Sequence, residues 1–233
     1  MQIPKENRSC YASGKQREIL IELFRLSEVQ RSFFLTGGTA LSVFYLSHRI
    51  SNDIDLFTID NFDFSALSFI LKRKWSSEFS VIKESSSFIS SIIGDVKVDF
   101  AHDPLSLKEK RPKIHLEHNT VIQVDSIKNI VSNKLCTIVS RTEPKDFIDF
   151  YFLFKLIAGL TWEQVYRDAQ RKEAIFDDAP TAAYQIEENF KFVLENTELI
   201  PRSRLDFDKE GWLQFYQDLI QWTYNRIRPD PHL

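Results

Sequence analysis

Asp53 and Asp55 stand one residue apart in a stretch, Ser51 to Thr58, whose Ile54, Leu56 and Phe57 suit a strand. Side chains alternate along a strand, so the two carboxylates project from one face, about 7 Å apart along the backbone. Two acids so placed invite a divalent cation, Mg2+ first and Mn2+ as its substitute. Upstream, Gly37 and Gly38 let the backbone approach a ligand closely where Thr39, Ala40 and Leu41 begin a helix. Free amides at such a start favour an anion, a phosphate for example. A phosphate cradle and a metal site thus fall within one strand-helix-strand unit, Phe33 to Thr58.

Other chemistry-bearing residues lie around this unit. His48 and Arg49 follow the inward stripe of Leu41, Phe44 and Tyr45. Cations there suit a helix C-terminus, and Arg49 is alternatively placed to reach a phosphate. In Val96 to Phe100, alternation turns Val96, Val98 and Phe100 one way and Lys97 and Asp99 the other. Asp99 is then either an outward-facing acid or a third carboxylate. Lys134 falls on the apolar stripe of Ile127, Ile130, Val131 and Ile138. Either it snorkels from the edge of the packed face, or its ammonium points into a cleft and neutralises triphosphate charge. Asp146 and Asp149, three apart on the next helix, can look toward one neighbour. Asp146 also suits a helix start, and Asp149 an ion pair with Lys145 or Arg141.

The segment Gly37 to Leu41 (GGTAL) followed by Ser51, Asp53, Asp55 and Phe57 (SxDxDxF) resembles the phosphate-turn and DxD signature of DNA polymerase β-like nucleotidyltransferases. More narrowly it resembles the AbiEii/AbiGii toxin family, the toxin half of bacterial toxin-antitoxin pairs, with a place in phage defence. The resemblance extends to Lys134-Leu135, then Arg141, then Lys145-Asp146-Phe147-Ile148-Asp149. It implies a Mg2+-dependent transfer of a nucleoside monophosphate from an NTP, ATP among them, to a hydroxyl of RNA (tRNA included) or protein. Asp53, Asp55 and Asp99 are the metal ligands it implies, with Asp99 helping to deprotonate the attacking hydroxyl. Lys134 and Asp149 join the catalytic set. Gly37, Gly38, Thr39, Arg49, Lys145 and Asp146 are nucleotide-binding, and Ser51 is a regulatory residue open to modification. A cognate antitoxin is the implied partner. The readings from other classes are a nucleotide-binding or protein-interaction module without turnover, and a phosphotransferase on the same fold.

The elements that must position these residues follow from periodicity. An amphipathic helix over Lys15 to Val29 leads into the first strand. A helix follows over Asp63 to Trp75, with a solvated Lys72-Arg73-Lys74 end. Strands are expected over Phe79 to Lys83, Phe88 to Ile93 and Val96 to Phe100, with Gly94-Asp95 as a hairpin turn, and further strands in Ile114 to Val124. The basic run Lys108 to Lys113 is expected to be solvated. From Asp125, a candidate helix cap, the pattern is helical to the end: a Pro144-started helix, then Trp162 to Arg171, Thr181 to Leu194 and Lys209 to Arg228, with breaks at Pro180 and Pro201. The fold class is therefore α+β, a polymerase β-like mixed sheet with flanking helices over residues 1–124. A helical C-terminal lobe over 125–233 is expected to complete the nucleotide site.

A net charge of −3 gives no global attraction to nucleic acid or to a membrane surface. Cys10 and Cys136 lie far apart with no metal-ligand pattern and read as reduced structural thiols. No apolar run reaches membrane-spanning length and the polar start lacks a signal-peptide core, so a cytoplasmic protein is expected.

Overall fold

The structure, a computed structural model, describes residues 4–226. The chain falls into two compact units, Met1–Ile127 and Lys128–Leu233.

In the first unit the expected opening helix is two. α1 (Gly14–Phe24) is capped by the Ser13 hydroxyl, which accepts from Gln16 N at 3.1 Å, and α2 (Ser27–Ser32) restarts after a break at Arg25 and Leu26. β1 (Phe34–Thr36) runs into α3 (Gly37–Leu41), which widens at once into a π-turn, Ser42–Leu46, closed by Ser47 at φ 57°. That helix ends before His48 and Arg49, so neither sits in its last turn as the dipole argument expected. β2 (Ile54–Thr58), α4 (Phe64–Trp75), β3 (Phe79–Ser85), β4 (Phe88–Ile93) and β5 (Val96–His102) follow. α4 takes Asp63 as its cap and exposes Lys72, Arg73 and Lys74 at its end.

The sheet has the order β1-β2-β5-β4-β3, with β2 and β5 parallel and the other pairs antiparallel. Alternation decides its two faces. Ile54, Leu56, Val98 and Phe100 are fully buried on one, while Asp55, Lys97 and Asp99 occupy half-buried positions on the other. Phe33 anchors the apolar side, edge-on to Phe62, Phe64 and Phe100 at 4.9, 6.1 and 5.4 Å. A small hairpin, β6 (Lys113–His115) with β7 (Val121–Gln123), meets β1 through a parallel bridge between Leu35 and Val124.

The second unit is helical: α5 (Ile127–Ser140, its first residue closing the first unit), α6 (Pro144–Leu156), α7 (Trp162–Gln170), α8 (Ala179–Glu195) and α9 (Lys209–Asn225). Pro144 opens α6, where its missing N–H costs nothing. Pro180 does the same for α8 rather than breaking it. The Asn189 amide donates to the Ile138 and Val139 carbonyls at 3.0 and 2.9 Å, satisfying the last turn of α5. On α9, Trp212, Tyr216 and Leu219 are buried, and Tyr216 stacks on Phe190 at 4.5 Å and donates its hydroxyl to the Phe147 carbonyl at 2.7 Å. The expected end of α9 at Arg228 lies outside the described residues.

Candidate active site

The site of the first unit is built by strand register. In β1 and β2 Thr36 pairs with Asp55, and in β2 and β5 Asp55 pairs with Asp99, so the residue entering the glycine turn and two carboxylates lie in one row across three strands. Paired residues share a sheet face, so Asp55 and Asp99 project together. Asp53 lies one residue before β2 rather than within it. Its carbonyl accepts the Thr39 hydroxyl and, at 3.4 Å, the Gln16 amide.

The glycines are needed where they stand. Gly37 has φ +65°, and a Cβ there would collide with Asp55 Oδ2. A Cβ on Gly38 would stand 2.6 Å from Arg49 Nη2 and 2.8 Å from Ser51 Oγ. The turn, Asp55, Arg49 and Ser51 are thus gathered at one place, although Arg49 and Ser51 follow the turn by about a dozen residues. Arg49 and Ser51 are both buried, and Arg49 Nη1 donates to the Ile50 carbonyl at 2.9 Å. Thr39 is fully buried with its hydroxyl turned to Asp53, so it braces the turn against the acidic strand.

Three residues not named among the candidate site residues belong to this frame. Gln16, fully buried on α1, accepts from Ala12 N at 2.8 Å and donates to Thr39 Oγ1 at 3.4 Å. Ser90 on β4 donates to Asp99 Oδ1 at 2.6 Å. Lys97 donates to Asp99 Oδ2 at 2.8 Å. Partial burial alone would lower the Lys97 ammonium, but Asp99, Asp53 and Asp55 outweigh it and hold the group above the ordinary lysine range. Three carboxylates therefore act on one cation at this face. Lys97 was legible through the alternation that placed it beside Asp99, whereas Gln16 and Ser90 required the fold.

Asp125 is fully buried and turns its carboxylate to the Thr36 hydroxyl at 2.8 Å, Arg111 Nε at 3.1 Å and Ser126 N at 3.0 Å. Arg111 also lies over the Phe34 ring at 3.5 Å. The basic run Lys108 to Lys113 is thus not wholly solvated. Arg111 is drawn in because a buried carboxylate requires a charged partner.

The second unit holds a buried ion cluster. Lys134 Nζ lies 2.6 Å from Asp146 Oδ1 and 2.6 Å from Asp149 Oδ2, and Arg141 Nη2 lies 2.7 Å from Asp146 Oδ2. Both aspartates have 0% exposed side chains, Lys134 has 7% and Arg141 50%. Burial alone would raise the Asp146 carboxyl, yet Lys134 and Arg141 hold it below the usual carboxylate range. Tyr216 is pushed well above the usual tyrosine range by its burial and by the nearby Asp146 and Asp149. Asp149 pairs with Lys134, a partner its structural reading did not include. Lys145 is half-buried in the first turn of α6.

Among the described residues no group of three or more His, Cys, Asp or Glu forms a ready-made metal cage. The donor set still fits Mg2+, which takes one or two carboxylates plus substrate phosphates rather than an all-protein cage. Asp55 Oδ2 against the Gly37 turn supplies that combination of carboxylate and open backbone. Among the described residues no helix is long and apolar enough to cross a membrane.

The family described as nucleotidyl transferase AbiEii toxin, type IV toxin-antitoxin system, matches residues 18–223. No match is found among curated proteins. A Helicobacter pylori protein assigned as a nucleotidyltransferase superposes with TM-score 0.55 at 17% identity, covering 92% of this chain and 97% of its own. JHP933, also from Helicobacter pylori, superposes with TM-score 0.51 at 16% identity, over 96% of this chain and 95% of its own. MenT4, a nucleotidyltransferase toxin of Mycobacterium tuberculosis H37Rv, gives TM-score 0.47 at 14% identity, over 92% of each chain.

Proposed function

The chain belongs to the AbiEii family of nucleotidyltransferase toxins, and from that premise we propose that it moves a nucleoside monophosphate from an NTP, ATP among the candidates, to a hydroxyl of RNA or protein. The observation that supports this reading most is the row Thr36-Asp55-Asp99 with the Gly37 turn closed against Asp55. It brings a glycine turn and paired carboxylates to one sheet face, an arrangement suited to transfer at a phosphorus.

In this reading the acceptor oxygen attacks the α-phosphorus, the bond from that phosphorus to the β-bridging oxygen breaks, and pyrophosphate leaves. The proton of the acceptor hydroxyl passes to Asp99, whose second oxygen stays anchored by Ser90. Asp53 and Asp55, with Asp99, would hold Mg2+ (or Mn2+), which would offset the charge of the phosphates. The Gly37 and Gly38 backbone holds the leaving phosphates, and Thr39 and Gln16 keep the turn and the acidic strand in register. Arg49, laid over Gly38, adds a guanidinium to the same phosphates. Ser51 Oγ lies against Gly38, so a modification there would fill the turn, which is the basis for its regulatory role.

In the helical unit we assign Lys134 the task of offsetting triphosphate charge, with Asp149 and Asp146 fixing its position and Lys145 contributing a further cation. As a family toxin the chain is expected to have a cognate antitoxin, to act in the cytoplasm and to serve in phage defence.

The test is a transfer assay with each of the four α-32P-labelled NTPs, Mg2+ and total bacterial RNA plus protein. Label on one macromolecule with the wild type, absent with Asp53→Ala, supports the reading and identifies donor and acceptor class. Equal label with Asp53→Ala overturns the assignment of the acidic face. No label with any NTP overturns nucleotidyl transfer to these acceptors.

A further inference from the structure

Asp99, the third carboxylate of the face, is engaged on both oxygens. Ser90, its register partner on β4, donates to Oδ1 at 2.6 Å, and Lys97 donates to Oδ2 at 2.8 Å. Asp99 is 14% exposed at its side chain and Lys97 43%, so Lys97 approaches from the open side while Ser90 braces from within the sheet. Lys97 and Asp99 are two apart on one strand and therefore share a face, and Asp55 is beside Asp99 in the next strand. The ammonium thus neutralises the acidic face from inside the chain.

An ammonium on Oδ2 competes with a divalent cation for that oxygen, because two cations sharing one carboxylate oxygen repel each other. We propose that Lys97 is a built-in counter-ion that competes with free divalent metal for Asp99, so that the site takes its metal together with a triphosphate rather than ahead of it. The triphosphate supplies anionic oxygens to which the displaced ammonium can turn, so Lys97 loses no charge partner when Asp99 is released. Ser90 keeps Asp99 oriented through the exchange. Lys97 acts here through Asp99 and is a positioning residue.

This inference rests on the metal-binding reading of Asp53, Asp55 and Asp99, and the test separates the two. Mn2+ alone, without nucleotide, is titrated into the full chain and free Mn2+ is read by electron paramagnetic resonance, for wild type, Lys97→Met, Lys97→Gln, Lys97→Arg and Asp55→Ala. A cation beside a carboxylate shifts its affinity for a proton by about one to three decades, and the exposure of Lys97 brings the expectation for a competing metal cation to about tenfold. Lys97→Met and Lys97→Gln should bind Mn2+ about tenfold more tightly than wild type, while Lys97→Arg stays near it. Tighter binding cannot arise from a damaged fold. Unchanged or weaker binding in both neutral variants, with Asp55→Ala losing Mn2+, overturns the counter-ion role and leaves the metal site standing. Wild-type affinity in Asp55→Ala overturns the metal reading and this inference with it.

Discussion

Replacing Lys134 with methionine removes the ammonium that lies 2.6 Å from both Asp149 and Asp146, and leaves Arg141 on Asp146. With Arg141 the cluster is two cations against two carboxylates and neutral. Without Lys134 it carries net −1 around two carboxylates whose side chains are 0% exposed. Removing one partner of a buried pair costs about 3–5 kcal/mol, because the charge left behind has been taken out of water. Lys134→Met should therefore destabilise the helical unit by about that amount, a large share of a domain's usual margin. Three of the four tryptophans, Trp162, Trp212 and Trp222, lie in this unit, so tryptophan fluorescence in a urea titration reports it selectively. Lys134→Met/Asp149→Asn leaves the neutral Arg141-Asp146 pair and should recover about 2 kcal/mol or more. The pH dependence carries the same sign. Asp146 is held below its ordinary value, so its contribution is present above the unfolded pKa and is lost as pH falls through the folded one, below about pH 4. That acid loss should be smaller in Lys134→Met. A cost under about 1 kcal/mol for Lys134→Met, or no recovery in the double variant, would refute the buried-cluster reasoning. The folded double variant then reads function: it should remain without transfer if Lys134 acts on phosphate charge, and recovered transfer makes Lys134 structural only.

Further substitutions probe the sheet unit. Gly37→Ala forces φ +65° on a Cβ residue at about 1–2 kcal/mol and drives the methyl into the Asp55 carboxylate. A small fall in melting temperature should accompany a loss of transfer of about a hundredfold, read as initial rate, since small misplacements at a reacting centre cost that much. Asp55→Asn, at a half-buried position, should move the urea midpoint by no more than about 0.5 kcal/mol while lowering transfer by at least about a hundredfold. Arg111→Met removes the guanidinium paired with the fully buried Asp125 carboxylate, and should cost about 3 kcal/mol in the same titration.

What the sequence disclosed and what it withheld divide along physical lines. Local alternation was sufficient to place Asp99 and Lys97 on one face of β5 and to set β4 and β5 as a hairpin around Gly94, whose φ of +63° suits the turn. The glycine turn and the strand carrying Asp55 were legible because each needs particular residue types within a few positions, whereas Asp53, expected on the same strand face, falls one residue before β2. Ser90, Gln16 and the Thr36-Asp125-Arg111 chain were not, because each is joined to its partner by register or by a long loop, with separations of 9 to 89 residues. The helix after Gly37-Gly38 was expected to carry His48 and Arg49 at its end. It widens into a π-turn and stops at Leu46, and that local irregularity leaves no periodic trace. The opening helix was read as one because Leu23, Phe24 and Leu26 keep a helical spacing across a break made at Arg25 and Leu26. The Lys134 cluster was half legible: the lysine on an apolar stripe was read as snorkelling or as pointing into a cleft, whereas it lies buried between two carboxylates, and the two aspartates were seen to face one way. Only the packing of α5 on α6 joined them.

The central claim, that the chain transfers a nucleotidyl group at the Asp53 and Asp55 face, is tested most directly by running one acceptor mixture with the same NTP labelled at the α- or the γ-phosphorus. The account predicts label on the acceptor from the α-labelled nucleotide alone, with pyrophosphate released, and none from either in Asp55→Asn. Label from the γ-position would contradict it, since that outcome assigns the same face to phosphoryl transfer.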